Sequence, residues 1–400
     1  MSLVRLELQR GLGRHLRAGH PWVFRKAVGK LPRIPPGSVV DLTEGGKFVA
    51  RGYFDPLSPI AVRVLTRDSR EAIDGDFFRR RVRSAWELRE RLLDRTDTDS
   101  FRLIHGESDG LPGVVADLYA GTVVLKLHSA GLTPVRGMLV DALRGLPGVR
   151  AVLGRDQPTG EGDEDRPGSA GGARLLWGEE PADPVVILER GVRFGVDVRR
   201  GQKTGFFLDQ RENRALVRRL SRGASILNCF SYSGGFSVNA ALGGASRVFS
   251  VDQDADAIAL ARENFGRNGL DPNVHDFLAA DVFTLLSSFR EEGRRFDVVI
   301  LDPPAFAKSQ RAVEAAIDGY ASLNRQALEV VVPDGLLVTA SCSARVTPEA
   351  FESAVAGAGV KAGVDLTLVE ERYQPPDHPI RLQFPEGRYL KFLVMRVTPW

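Results

Sequence analysis

Two kinds of hydrophobic pattern follow each other along this chain. Up to about residue 70, apolar and polar positions alternate in short stretches separated by Gly and Pro, which predicts β-strands at 3–8, 39–42, 47–53 and 60–65. From Pro184 onward, strand-length apolar runs alternate with stretches of helical periodicity. We expect strands at 225–228, 247–252, 296–302 and 336–340, with helices between them near 235–242, 255–268 and 312–331. The second pattern predicts an α/β fold with a doubly wound parallel sheet.

The middle of the chain combines both patterns. Helical spacing of apolar residues predicts helices over 74–94, with a solvated face of arginines, and over 134–143. Strands are predicted at 113–117 and 122–128, and a final antiparallel pair at 366–370 and 390–397. The stretch 155–174 is rich in Gly, Pro, Asp and Glu, which predicts a flexible loop. We therefore expect domains over 1–70, 71–183 and 184–400.

Composition excludes several classes of protein. Of the 400 residues, 43% are hydrophobic and 26% are charged, as in an ordinary globular protein. No apolar run approaches the roughly 20 residues of a membrane helix, and the first residues lack a signal-peptide core, so we expect a cytoplasmic protein. Cys229 and Cys342 are too few for a disulfide framework or a cysteine-rich zinc site, and the six histidines lack metal-ligand spacing, so no metal is predicted.

Positive charge is concentrated near the N-terminus. Residues 1–100 hold 20 Lys and Arg against 13 Asp and Glu, whereas the other 300 hold 34 against 38. This imbalance indicates a phosphate-rich partner, although an excess of Arg over Lys, 46 to 8, also fits a GC-rich genome. We expect Trp22 and Phe24 in the core of a small barrel. The cations around them are candidates for phosphate contacts: Arg14, Arg17, Arg25 and Lys26.

Polar residues follow the ends of the predicted C-terminal strands, where sheets of this kind bind ligands. Gly234 and Gly235 allow the backbone to approach a ligand closely. Asp252 ends the next strand and can accept both hydroxyls of a ribose, and Asp281 follows a further strand. Asp302 precedes two prolines that stiffen its loop, so its carboxylate can bond a polar substrate edge.

The two cysteines are expected to differ in role. Cys342 follows the fifth predicted strand between two serines, at the mouth where ligands bind, and a thiolate there is a strong carbon nucleophile. Cys229 is expected to be a small buried residue of the core.

Several of these residues lie in runs that resemble one known family. The runs are KTGFFLDQR at 203–211, LNCFSYSGGF at 227–236, DPP at 302–304, SCS at 341–343, GESDGLPG at 106–113, DHP at 377–379 and HPWVF at 20–24. They resemble the RlmI-type family of class I S-adenosylmethionine-dependent methyltransferases, which act on cytosine C5 in bacterial 23S rRNA. The resemblance extends over nearly the whole chain. The resemblance implies an N-terminal PUA domain for RNA, a central α/β domain and a Rossmann-like methyltransferase domain.

The resemblance also implies partners and residue roles. The implied substrate is ribosomal RNA, the cofactor is S-adenosylmethionine, and a homodimer is among the states it allows. Cys342 would be the nucleophile, and Asp302 would lie where cofactor and target base meet. The cofactor would contact Thr204 and Phe206, with its methionine part near Asn228, Phe230, Tyr232 and Gly234, its ribose at Asp252 and its adenine near Asp281.

Some features leave alternatives open. Ala305 stands where many members of the family have Lys, so the base that removes the C5 proton is unassigned, with His378 as a candidate. A methyltransferase acting on a guanine nitrogen would need no Cys342, and the Asp-Pro-Pro-Ala run fits that class only loosely. A non-catalytic RNA-binding assembly factor would not need Asp252 and the glycines. A dehydrogenase is disfavoured because GxGxxG is absent.

Overall fold

Contacts divide the protein into two compact units. The structure is a computed structural model that describes residues 4–29, 31–155, 172–306 and 312–400. The first unit comprises Met1–Ile187, Val196–Leu208 and Pro376–Gly387, and the second comprises Leu188–Gly195, Asp209–Pro375 and Arg388–Trp400. Each unit therefore contains separate stretches of the chain. The predicted boundaries at 70 and 183 stay a prediction.

The first unit begins with β1 (Val4–Glu7), α1 (Gly13–Arg17), β2 (Trp22–Phe24), β3 (Val39–Glu44), β4 (Lys47–Phe54) and β5 (Ile60–Thr66). The strands form a sheet in the order β1-β3-β4-β5-β2, with β1 parallel to β3 and the other neighbours antiparallel. Val40, Leu42, Phe54 and Val62 are completely buried in its core. The four strands predicted from alternation are confirmed.

The short strand β2 places its aromatic rings differently from the prediction. Val23 is buried, whereas Phe24 is 48% exposed, so the expected core position of Phe24 is wrong. Successive side chains of a strand point to opposite faces, and burying Val23 turns Phe24 outward. Trp22 is half-buried. Its ring meets that of Phe384 edge-on with centroids 4.6 Å apart, and its Nε1 donates to Glu107 Oε1 at 2.7 Å.

The first unit continues with α2 (Gly75–Leu92), β6 (Ser100–His105), β7 (Val114–Tyr119), β8 (Thr122–Leu127), α3 (Arg136–Arg144), β9 (Ala151–Arg155) and β10 (Arg174–Gly178). The strands form a sheet in the order β10-β9-β8-β7-β6, with only β8 and β9 parallel among its neighbours. Both predicted helices are confirmed, and Asp74 caps α2 by accepting from the Phe77 N–H at 2.9 Å. Most of the predicted loop 155–174 lies outside the described residues.

A hairpin of β11 (Val185–Glu189) and β12 (Val192–Val196) precedes the large sheet of the second unit. That sheet contains β13 (Ser225–Cys229), β14 (Arg247–Asp252), β15 (Asp276–Ala279), β16 (Phe296–Leu301), β17 (Val331–Ser341), β18 (Val364–Arg372) and β19 (Lys391–Pro399). The order is β15-β14-β13-β16-β17-β19-β18, with the first five strands parallel and β19 antiparallel to both neighbours. The predicted parallel sheet and final antiparallel pair are confirmed.

The helices of the second unit are α4 (Arg211–Leu220), α5 (Gly235–Leu242), α6 (Ala255–Arg267), α7 (Val282–Glu291), α8 (Val313–Leu328) and α9 (Pro348–Ala362). The sequence patterns predicted α5, α6 and α8 but not the other three. Two arginines of α4, Arg211 and Arg214, are buried, and Arg214 donates to both carboxylate oxygens of the buried Glu189, at 2.7 and 2.6 Å.

The carboxyl ends of the five parallel strands lie along one edge of the large sheet. In the strand register, Asp252 pairs with Ala279, Cys229 with Leu301, and Leu301 in turn with Thr339. The chain leaves β13 toward β14 and later returns to β16 on the other side of β13. This reversal of strand order opens the crevice in which such sheets bind ligands. Within the described part of the chain, we find no helix with the length and apolarity to cross a membrane.

Candidate active site

The loop after β13 has an unusual backbone. Phe230 and Tyr232 have φ angles of 59° and 47°, in the left-handed region that non-glycine residues rarely adopt, and Gly234 has a φ of 78°. A Cβ at Gly234 would lie 2.8 Å from the Cβ of Ala261, so only glycine fits there. The Ser231 N–H donates to the Val251 carbonyl at 2.9 Å. The loop is thus held close to the end of β14.

Asp252 links the end of β14 to this loop. Its Oδ2 accepts the Tyr232 N–H at 2.8 Å and its Oδ1 accepts the Asp254 N–H at 3.1 Å. Burial raises the pKa of Asp252, and the same two backbone donors partly offset that rise. Each oxygen keeps a further lone pair, so the carboxylate can accept two hydroxyls of a ribose.

Buried polar atoms without partners lie in the same place. Among the described residues, nothing hydrogen-bonds to Asn228 Oδ1 or to the hydroxyls of Ser231 and Ser233, and all three side chains are buried. Asn228 Nδ2 donates to Ser237 Oγ at 2.9 Å, which holds its amide between β13 and α5. Unpaired buried polar atoms are costly, so this loop fits a polar ligand such as S-adenosylmethionine. Sequence reasoning missed both serines.

Asp281 follows β15, the strand beside β14. It is the N-cap of α7, and its Oδ1 accepts the N–H and the hydroxyl of Thr284 at 2.9 and 2.8 Å. Its side chain is exposed. A capping role therefore accounts for one carboxylate oxygen, and the predicted contact with adenine stays a prediction.

Asp302 directly follows β16 and is held by a buried amide pair. Its Oδ1 accepts from Gln210 Nε2 at 2.9 Å, and Gln210 Oε1 accepts from Asn213 Nδ2 at 2.6 Å. Gln210 and Asn213 are 2% and 0% exposed. Since the second bond fixes which end of the Gln210 amide faces Asp302, the carboxylate has a defined orientation at the strand end. Gln210 lies in the 203–211 run but was given no role from sequence.

Cys342 directly follows β17 and is partly exposed, whereas Cys229 is buried. Burial strongly raises the pKa of the Cys229 thiol, so the expected core role of that residue is confirmed. The serines on either side of Cys342 are fully buried, and Ser343 Oγ lies 3.1 Å from the hydroxyl of Tyr320 on α8. The thiol is therefore carried on a short loop that is anchored on both sides.

A buried lysine lies against this loop. Lys391 begins β19 opposite Ser341, and its Nζ donates to the Ser343 carbonyl at 2.6 Å and the Tyr389 carbonyl at 2.8 Å. Burial lowers the pKa of Lys391 to about 8, while the Cys342 thiol acts in the opposite direction. Sequence reasoning missed this residue; its signal is a single cation within the otherwise apolar start of β19.

Thr204 and Phe206 lie in the first unit, in the stretch Val196–Leu208. Thr204 Oγ1 donates to Asp117 Oδ2 at 2.5 Å and lies 2.8 Å from the Tyr119 hydroxyl. The Phe206 N–H donates to the same hydroxyl at 3.3 Å. Both side chains are buried, and these bonds attach their stretch to the second sheet of the first unit. Their predicted role in cofactor binding stays a prediction.

His378 is also a residue of the first unit, within Pro376–Gly387. It is buried with its ring 5.2 Å from that of His105, and burial holds the pKa of His105 well below its usual value. The neighbouring Asp377 Oδ2 accepts the Arg102 N–H at 2.9 Å. These contacts anchor the segment Pro376–Gly387 within the first unit, and they give His378 a place in the packing of that segment.

Cations of the first unit include both predicted and unforeseen residues. Arg14, Arg25 and Lys26 are exposed and form no ion pair with any described residue, whereas Arg17 pairs with Glu44 at 2.9 Å. A second group consists of Arg67, Arg81 and Arg381, which come from three separate parts of this unit. Burial and the neighbouring Arg381 lower the pKa of Arg67, and burial and Arg81 lower that of Arg381.

Over the residues that the structure describes, no cluster of His, Cys, Asp and Glu suits a metal ion.

The family model that covers most of this chain and the sequence relatives of the chain point to one family. A family model described as S-adenosylmethionine-dependent methyltransferase matches residues 122–392, and one described as PUA-like domain matches residues 6–67. The chain is 42% identical over 398 residues to the ribosomal RNA large subunit methyltransferase I of Shewanella denitrificans, covering 98% of this chain and 99% of the relative. The protein of that name from Enterobacter sp. is 40% identical, with the same coverage.

Solved structures show the same fold. A structure described as a SAM-dependent methyltransferase from Streptococcus mutans has a TM-score of 0.86 at 24% identity, covering 98% of this chain and all of that one. A structure of SMU.776 complexed with SAH has the same TM-score at 23% identity. The expected PUA-like domain and methyltransferase domain are thus confirmed, together with the mixed α/β fold class.

Proposed function

This chain belongs to the S-adenosylmethionine-dependent methyltransferases, and we propose that it methylates C5 of a cytosine in large-subunit ribosomal RNA, 23S in bacteria, through a covalent adduct of Cys342. The relatives' name, ribosomal RNA large subunit methyltransferase I, supports the RNA substrate. The observation that carries the C5 position is a partly exposed thiol directly after β17, on the ligand-binding edge of the sheet. Such an enzyme acts in the cytoplasm.

The chemistry gives the thiol a reason to be there. Cytosine C5 belongs to an aromatic ring and is a poor nucleophile, and S-adenosylmethionine supplies an electrophilic methyl group. The Cys342 thiolate adds to C6, which leaves electron density at C5 for a bond to that methyl as the bond from methyl to the sulfonium sulfur breaks and S-adenosylhomocysteine leaves. Loss of the C5 proton to a base then restores the C5–C6 double bond and expels the thiolate. Methylation of a guanine nitrogen, the alternative, would leave Cys342 without a task because nitrogen has a lone pair.

Residues of the second unit have separate tasks in this proposal. Asp252 binds the ribose, and the loop from Phe230 to Gly234 surrounds the methionine part together with Asn228. Asp281 lies on the adenine side. Asp302, oriented by Gln210, accepts a hydrogen bond from the N4 amino group of the cytosine and so positions the ring for attack.

The first unit holds the RNA backbone in this proposal. Arg14, Arg25 and Lys26 offer exposed charges to phosphates, and Arg17 adds to them at the expense of its pairing with Glu44. The group of Arg67, Arg81 and Arg381 gathers like charges that a phosphate would stabilise.

The product nucleoside tests the proposal. Full-length protein, S-adenosylmethionine and a 23S transcript should yield 5-methylcytidine after digestion and mass analysis. An N-methylguanosine product would support the alternative, and the absence of any methylated nucleoside on both naked and particle-bound RNA would support a non-catalytic assembly factor.

Replacing Asp252 by Ala should weaken S-adenosylmethionine binding. The change removes an acceptor for the ribose and a hydrogen bond that shapes the glycine loop, and bonds to a charged group are worth about 1.5–3 kcal/mol, or roughly 10- to 150-fold in Kd. Calorimetry measures the effect. The matched control is Asp297→Ala, because Asp297 lies near the opposite ends of the strands, bonded to Ser225. Equal affinity of both variants would refute the assignment.

Replacing Arg25 and Lys26 together by Ala should weaken binding of rRNA fragments and reduce its dependence on salt. The plot of log K against log salt has a negative slope, and each lost phosphate contact makes it less steep by about 0.7–0.9. Titrations at several salt concentrations measure this slope. Arg17→Ala should have a smaller effect because Glu44 already neutralises Arg17. An unchanged slope in the double variant would contradict a role of this surface.

A further inference from the structure

The ammonium group of Lys391 is buried without a carboxylate. The side chain is 1% exposed, and its Nζ donates to two backbone carbonyls, of Ser343 and Tyr389. No described Asp or Glu lies within ion-pair distance of it. Two carbonyls satisfy hydrogen bonds but supply no negative charge, and a buried cation is costly unless a charge compensates for it. A negatively charged group near Nζ would therefore stabilise the ammonium.

The geometry of the loop points to Cys342. Lys391 is paired with Ser341 in the sheet, and its Nζ bonds the carbonyl of Ser343, so its two points of attachment flank the cysteine. The electrostatic interaction of Lys391 with Cys342 favours the protonated amine and opposes the effect of burial. With a pKa of about 8, the amine is mostly protonated at pH 7, and an ionised thiol would balance its charge.

Other titratable groups around the loop already have partners. On α8, the Tyr320 hydroxyl lies within hydrogen-bond distance of Ser343 Oγ. Burial raises the pKa of Tyr320, and Cys342 adds to this effect, so the hydroxyl stays neutral. The Tyr389 hydroxyl donates to Asp209 Oδ2 at 2.7 Å. Asp302 accepts from Gln210 at the end of β16. Lys391 is thus a buried positive charge beside the cysteine, whereas Arg345, three residues beyond Cys342, is exposed to solvent.

We propose that Lys391 is a positioning residue that stabilises the thiolate of Cys342. The ammonium favours ionisation of the thiol, whose proton passes to solvent while Lys391 keeps its own protons, and the bond from Nζ to Ser343 holds the loop in place. The proposal rests on the proposed function only in assigning Cys342 as the nucleophile. The proposed reaction needs a thiolate at neutral pH, where a free cysteine is only a few per cent ionised, and a neighbouring ammonium would favour that form.

The pH dependence of Cys342 alkylation by iodoacetamide tests this directly, because only the thiolate reacts. Full-length protein is alkylated over a range of pH, and the rate at Cys342 is read by mass spectrometry, with buried Cys229 as an internal reference. In Lys391→Met the midpoint should move upward by about 1–3 pH units, the range for loss of an adjacent opposite charge, and the rate at pH 7 should fall about tenfold or more. Lys391→Arg should restore a lower midpoint.

Two further variants separate charge from structure. Tyr320→Phe removes a bond to the same loop without removing a charge, so its midpoint should stay near that of the wild type. Lys391→Gln keeps a donor for the two carbonyls, and it should shift the midpoint as Lys391→Met does. An unchanged midpoint in folded Lys391→Gln, with S-adenosylmethionine affinity intact, would overturn the proposal; so would equal shifts in Lys391→Gln and Tyr320→Phe.

Failure of the proposed function would look different. If the midpoint shifts as expected but no covalent RNA adduct forms, Lys391 stabilises a thiolate that does not methylate cytosine. If wild-type protein forms the adduct and the midpoint is independent of Lys391, the methylation proposal stands and the role of Lys391 is wrong.

Discussion

Replacing Cys342 by Ala is expected to abolish methyl transfer and to leave S-adenosylmethionine binding intact. Without the thiolate, cytosine C5 has no route to an activated ring, so the loss should be complete rather than partial. The residue is partly exposed and lies outside the buried core, so the change should cost little stability. Transfer of labelled methyl groups to a 23S transcript measures activity, and calorimetry measures cofactor affinity.

The same enzyme should be trapped by RNA that carries 5-fluorocytosine at the target. Fluorine at C5 blocks the final elimination, so the bond between Cys342 and C6 should persist and resist denaturing gels. Cys229→Ala is the matched control. Since Cys229 is 1% exposed and burial raises the pKa of its thiol, the adduct should form in that variant and disappear only in Cys342→Ala.

One outcome would replace the proposed function. If Cys342→Ala still methylates at a rate close to that of the wild type, no covalent step is needed, and methylation of a guanine nitrogen becomes the better account of the site. The product nucleoside would then be an N-methylguanosine. The activity of Cys342→Ala and the identity of the product nucleoside therefore test the same alternative.

Much of the site could be predicted from sequence because it follows strand ends. Apolar runs show where parallel strands end, and the carboxyl ends of parallel strands share one edge, so Asp252, Asp302 and Cys342 could be placed together without coordinates. In the large sheet, Asp252 ends β14, Asp302 follows β16 and Cys342 follows β17. Gly234 was expected to allow a close approach of the backbone, and in the structure it adopts a left-handed φ and lies against Ala261.

The residues that support this site could not be predicted in the same way. Gln210 lies 92 positions before Asp302, and Lys391 lies 48 positions after Ser343. Such contacts depend on how elements pack and on an antiparallel strand that returns to β17, and periodicity carries no information about either. A buried polar residue in an apolar run indicates that a partner exists, but it does not identify the partner.

Local patterns also failed where the interior contains charge. The helix α4 was not predicted, and it contains charge in the interior: Arg211 and Arg214 are buried, and Arg214 pairs with Glu189. Phe24 was placed in a core because it is aromatic, although alternation within β2 turns it outward. The partner of Arg214 belongs to another element, whereas the exposure of Phe24 follows from the alternation of its own strand.

Replacing Arg89 by Leu is expected to cause the largest loss of stability. Arg89 is completely buried in α2, and its guanidinium donates to both oxygens of Asp109 at 2.6 and 2.8 Å and to the carbonyls of Arg102 and Asp377 at 2.9 and 2.8 Å. Its loss leaves a buried carboxylate without its cation and two carbonyls without donors. Breaking a buried pair in this way costs about 3–5 kcal/mol, which denaturant unfolding followed by circular dichroism would measure.

Arg79→Leu on the same helix is the matched control for this experiment. Arg79 pairs with Asp76 at the exposed face of α2, where solvent screens the charges, so its removal should change the free energy of unfolding very little. In the double variant Arg89→Leu, Asp109→Leu, part of the stability should return because no charge is left buried and unpaired. If Arg89→Leu lost no more stability than Arg79→Leu, the hydrogen bonds and ion pair of the buried Arg89 guanidinium would contribute little to the stability of the protein.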